Sequence, residues 1–167
     1  MYRTITEFLK DWKGEAARTQ KLLGRLTDDS LAQSVAPGHR TLGRLAWHIV
    51  GTIHEMMTHA GLKFSAPGED GPAPASAREI AEAYSRASAA FTEALRQQWT
   101  DATLSETRKM YGQVWTGAEV LTTLIRHQIH HRGQMTVLMR QAGLSVPGIY
   151  GPSKDEWAAM GMPAPEA

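Results

Sequence analysis

The residues best equipped for chemistry in this chain are histidines. Seven occur in 167 residues, and three of them crowd into one run, RHQIHHRGQ, over residues 126–134. His127 and His131 are four apart, which on a helix sets them about 40° apart around the axis and about 6 Å along it, a spacing from which two imidazoles converge on one ion. On a helical wheel centred on Val120, Leu121, Leu124, Met135, Leu138, Met139 and Ala142, His131 lies roughly 30° from the apolar centre, His127 about 70° and His130 about 130°. The inward pair is His127 with His131. Ring nitrogens facing a core need partners, because an unpaired buried polar group costs roughly 1–3 kcal/mol. A metal meets that need, and so do backbone, water or a carboxylate. The same histidine spacing occurs in zincin metalloproteases, but the position after the first histidine is Gln128, whose carboxamide cannot take a proton from water, so a protease of that type is disfavoured.

A site with open positions needs a third ligand, and there is no cysteine in the chain to supply one. His48, Thr52, Glu55 and His59 form a stripe about 60° wide beside an apolar helix face. His48 and His59 are about 16 Å apart along the axis and cannot serve one ion together, so the spacing leaves either of them as the third ligand. His54 points to the opposite flank and His39 falls in a loop; both read as solvated side chains. Gln134 and Thr123 share the His127 side of their helix, placed to orient a ligand imidazole or bind substrate and equally to hydrogen-bond between helices, and Glu55 is a candidate base that reads more readily as an ordinary solvated glutamate.

Four amphipathic helices must position these groups. The first carries Ile5, Phe8, Leu9, Trp12, Ala16, Thr19, Leu23 and Leu26 at helical spacing behind a Thr4/Glu7 capping box; the second runs from Leu42 to Ala60 after Thr41. The third opens on Ser76 and Glu79 and carries Ile80, Tyr84, Ala87, Phe91 and Leu95, and the fourth opens on Thr116 and Glu119 and ends at Gly143. With no sustained period of two, the expectation is an all-α protein, a four-helix bundle. Residues 27–40, 62–75 and 100–115 read as connections of about 14 to 16 residues each, long enough for crossovers, and the Pro- and Gly-rich middle one is suited to a strap between helices two and three. The tail, 144–167, is expected to fold back, since Ile149, Tyr150 and Trp157 are costly in water. At this length a single domain over 1–167 is expected.

Charge and composition exclude several functions. Lys and Arg total 18 against 17 Asp and Glu, without the basic excess of a duplex-binding surface, so no nucleic-acid partner is expected. No stretch approaches about 18 consecutive apolar residues and no apolar leader is present, so no membrane is expected and the location is read as cytoplasmic.

LAWHIV on the second helix, HQIHHRGQ on the fourth and VPGIYGPSKDEW in the tail together resemble the DinB-like family, over nearly the whole chain. The resemblance implies a four-helix bundle with a long crossover between helices two and three, a homodimer, and a divalent transition metal (Zn, Ni, Fe or Mn) held by one histidine of the second helix and the pair of the fourth. By that match the ligands are His48, His127 and His131. It further implies a small-molecule enzyme of the thiol S-transferase or hydrolase type, acting in stress response or detoxification with a low-molecular-weight thiol. The thiol is necessarily external. A non-catalytic stress or interaction protein, in which the histidines only tie two helices together, is the other reading, and no catalytic residue is assigned by either.

Overall fold

The computed structural model describes residues 1–67 and 71–166. Four long helices dominate it: α1 (Ile5–Leu23), α2 (Leu42–His59), α3 (Ala77–Gln98) and α4 (Gly117–Gln141). Each begins where a side chain can satisfy an amide that the helix leaves unpaired. Thr4 and Thr116 close reciprocal capping boxes with Glu7 and Glu119, while Thr41 and Ser76 accept from the Arg44 and Glu79 amides. Glycines in the left-handed region, Gly61 (φ 91) and Gly143 (φ 74), follow the ends of α2 and α4, where a side chain would be strained.

The helices share one apolar core. Phe8 and Trp12 of α1 meet Phe91 of α3 edge-on, with ring centroids 5.9 and 5.1 Å apart, and Ile49, Ile53, Leu121 and Leu124 are fully buried. α2 packs against α3 and α4, and α1 packs against the same two. The contact between α2 and α4 positions the site, because it sets the polar edge of one helix against that of the other.

The all-α expectation needs one correction. Within the segment read as a connection, Thr107–Met110 (β1) and Gln113–Thr116 (β2) form an antiparallel hairpin, with Met110 opposite Gln113 and Thr107 opposite Thr116. Its two-residue turn has φ positive at both Tyr111 (49) and Gly112 (79), the geometry that matches strand twist. Four-residue strands are too short to show a period, and only Met110 is buried, so the pattern had nothing to report. Arg108 fastens the hairpin by donating to the Ala60 carbonyl (2.7 Å) and lying over Trp99.

Beyond α4 the tail returns to α1. Val146 is buried, Ile149 packs against the core, and Arg18 and Lys21 donate to the carbonyls of Ile149 and Gly148. Tyr150 leaves its ring largely exposed while its hydroxyl donates to Glu15 (2.6 Å). The centre of the Pro- and Gly-rich connection, residues 68–70, and residue 167 lie outside the described residues. Among the described residues no helix is long and apolar enough to cross a membrane.

Candidate metal centre

His48 projects from the second turn of α2, and His127 and His131 project from successive turns of α4. Their Nε2 atoms form a nearly equilateral triangle: 3.1 Å from His48 to His127, 3.1 Å from His48 to His131 and 3.0 Å from His131 to His127. His48 and His131 are buried and His127 is half-buried.

Hydrogen bonding cannot account for such a triangle. An aromatic ring nitrogen offers in its plane either one proton or one lone pair, never both. Three of them facing one point therefore cannot satisfy each other in a cycle, since any nitrogen that donates has nothing with which to accept. A cation at that point satisfies all three. Two nitrogens each held about 2.0–2.1 Å from one ion, at angles between a right angle and the tetrahedral value, lie about 2.8–3.4 Å apart, which the observed separations match. Three imidazoles so arranged can hold a metal ion.

The surroundings of the pair on α4 favour neutral rings. Burial pushes His127 down to about 3, with further lowering from the charges of His131, His48, His130 and Arg40. His131 is likewise lowered, chiefly by burial, against the opposing effect of its bond to Gln134. That bond fixes the tautomer. Gln134 Oε1 lies 2.7 Å from His131 Nδ1 and its amide nitrogen lies 3.1 Å from His130 Nε2, so the Gln134 oxygen accepts the Nδ1 proton and the lone pair of His131 is left at Nε2. Among the described residues no hydrogen-bond partner meets the buried His127 Nδ1.

The remaining candidates are placed elsewhere. His59 is exposed and stacks on Tyr111, ring centroids 5.5 Å apart, so of the two candidates on α2 it is His48 that joins the pair. Glu55 accepts from the Tyr111 hydroxyl (2.7 Å), His54 packs on Phe64, and His130 is exposed. Gln128 turns away from the cluster into the core, where it donates to the Ile49 carbonyl and accepts from Tyr84.

One polar cluster is not among the candidates that the sequence singles out. Arg132, 1% exposed, donates to the Glu15 carboxylate, the Glu15 carbonyl (2.8 Å), Thr19 Oγ1 (2.9 Å) and the Tyr150 hydroxyl. Burial tends to raise the Glu15 carboxyl, but the hydrogen bonds from Tyr150 and Arg132 and the charges of Arg132 and Arg18 outweigh it and leave it below the usual range. The signal available was the position of Arg132, one residue after the inward His131 and on the flank that α1 covers.

A pocket of about 370 Å³ opens beside the cluster, lined by Val35, His39, Arg40, Leu45, His131, Gln134, Val137 and Leu138. His131 thus belongs both to the triangle and to a concavity that a small molecule can enter.

The chain resembles known proteins throughout its length. The model of the DinB family matches residues 1–166. The uncharacterized protein YrdA of Bacillus subtilis strain 168 is 54% identical over 166 residues, 99% of either chain. A crystal structure of a DinB-like protein from Bacillus cereus ATCC 10987, 53% identical, superposes with a TM-score of 0.87 over 90% of this chain and 100% of that one. The DinB-like protein YjoA of Bacillus subtilis, 18% identical, shares the fold with a TM-score of 0.66 over 88% of this chain and 99% of its own.

Proposed function

The chain belongs to the DinB family, and on that footing we propose that it binds one divalent transition metal ion through His48, His127 and His131 and uses it in small-molecule chemistry of the thiol S-transferase or hydrolase type, in stress response or detoxification. The observation that carries this reading is the triangle of three Nε2 atoms 3.0–3.1 Å apart, which a single cation satisfies and mutual hydrogen bonds do not. Neutral imidazoles suit Zn, Ni, Fe or Mn and leave the ion its full charge, so when bound it supplies a Lewis acid with open positions.

The chain's own residues prepare the site for that role. Gln134 holds His131 in the tautomer that presents Nε2, burial keeps His127 and His131 unprotonated at neutral pH, and the pocket beside His131 gives a substrate access. With no cysteine in the chain, a thiol nucleophile would come from a second substrate. The same reading takes the chain as one four-helix bundle over residues 1–167, with 62–75 as the crossover from α2 to α3, supported by the packing of α1 and α2 each against α3 and α4.

The test is metal content by elemental analysis of protein purified without an affinity tag or chelator. Near one equivalent is expected in the wild type and in His59→Ala, and a loss of most of it in His48→Ala, His127→Ala and His131→Ala. Equal retention in all four variants sinks the assignment. Turnover of thiol and electrophile pairs by the loaded protein, absent from the stripped one, separates an enzyme from a structural tie.

A further inference from the structure

The pocket beside His131 has a chemical character of its own. Val35 and Val137, 59% and 51% exposed, line the concavity together with Leu45 and Leu138, so much of its wall is apolar. Among the described residues no acidic side chain lines it, and Arg40 is the one that brings a charge. Among the described residues nothing pairs with that guanidinium, while its charge acts on both His127 and His131.

The backbone that carries Arg40 is braced. Ala36, Pro37, Gly38 and His39 form a tight turn, with proline ahead of Gly38 at φ 79 and the His39 amide donating to the Ala36 carbonyl (3.2 Å). A bridge between Ser34 and Thr41 and a 2.7 Å bond from the Leu42 amide to the Gln33 carbonyl close the loop at its base. Arg40 therefore sits on a braced loop immediately before Thr41, the N-cap of α2, eight residues before His48. An exposed guanidinium with no partner among the described residues, an apolar lining and His131 of the metal centre in one concavity define what it can hold.

We propose that this pocket is the substrate subsite for the carboxylate end of an amphiphilic small molecule, with Arg40 pairing the carboxylate and Val35, Leu45, Val137 and Leu138 covering an apolar chain. A guanidinium takes a carboxylate through two parallel hydrogen bonds, and the apolar walls select against small hydrophilic anions. The inference rests on the metal-centre reading for its reacting end alone; the subsite itself is built from residues that hold no metal.

The experiment is an amide NMR titration of the zinc-loaded and the metal-free protein with hexanoate, hexanol and hexylammonium, repeated on Arg40→Gln. Hexanoate is expected to bind both forms, shifting the amides of residues 35–40 and 134–138, with hexanol about tenfold weaker and hexylammonium weaker still, the worth of one charge-assisted pair. Arg40→Gln is expected to bring hexanoate to the level of hexanol with zinc content unchanged. Undiminished hexanoate binding by Arg40→Gln overturns the subsite, and so does hexanoate binding to the zinc form alone, since the carboxylate then sits on the ion. Failure of the metal reading is a separate result: the protein takes up no zinc, yet the preference for hexanoate and its dependence on Arg40 persist. Val137→Asp, which places a negative charge in the wall, is expected to abolish the preference; if it leaves hexanoate binding intact, the ligand lies elsewhere.

Discussion

Gln134→Leu tests the metal centre without touching a ligand. In the structure the Gln134 oxygen accepts the Nδ1 proton of His131 across 2.7 Å, so the lone pair at Nε2 points to the meeting place with His48 and His127. Leucine fills similar space and cannot accept, which frees the proton to move to Nε2 and block the ligand atom. Hydrogen-bond partners of ligating histidines are worth about 10- to 100-fold in metal affinity. Because Gln134 is exposed, water replaces part of the lost bond, and the expectation is the lower end, about tenfold or roughly 1.4 kcal/mol. The assay is competition for Zn(II) against a chromogenic chelator at neutral pH. Gln134→Glu, whose carboxylate accepts more strongly, is expected to bind at least as tightly as the wild type. An affinity for Gln134→Leu within twofold of the wild type refutes the role, and equal weakening by leucine and glutamate shows that shape is what matters there.

Two further outcomes follow from buried charge. Glu15→Gln, which takes the carboxylate from the buried Arg132, is expected to lower stability in urea denaturation by about 3 kcal/mol, and Arg132→Met by less, since the partly buried Glu15 keeps Arg18 and Tyr150, whereas the double variant recovers part of the loss; additive losses contradict the pairing. The metal-free protein is expected to lose stability as pH falls from about 6.5 toward about 3. Over that window the unfolded chain protonates His127 at its ordinary value while the folded protein does not, so the unfolded state binds more protons and stability rises with pH. Saturating metal is expected to raise stability at neutral pH and to steepen its fall below about 6.5, because the ligating imidazoles then stay unprotonated in the folded state; identical profiles with and without metal speak against ligation by His127.

The parts of this molecule that are local in the chain were legible in its sequence. Capping residues at 4, 41, 76 and 116 announce helix starts because the bond each makes spans three residues. His127 and His131 were legible for the same reason, four apart on one helix. The third partner was not settled by spacing, since His48 and His59 share a stripe; the resemblance chose His48, and it is His48 that lies 3.1 Å from both ring nitrogens. The hairpin escaped because tyrosine occupies a left-handed turn position that glycine or asparagine would have advertised. Arg132 escaped because charged residues are expected outside, and only the approach of Glu15, Thr19 and Tyr150 from distant segments makes its burial tolerable.

The triangle also has a consequence for how the chain holds on to an ion. His127 and His131 come from one helix, but His48 lies 79 residues before His127. In an unfolded chain, bringing that third nitrogen to the other two means closing a loop of this length, at an entropic cost of about 4 kcal/mol, whereas in the native protein the packing of α2 on α4 has already done so. The native site therefore outcompetes the same three residues on an open chain by roughly a thousandfold. Capture of the ion becomes a proofreading step for the fold, and its release a sign that α2 and α4 have parted.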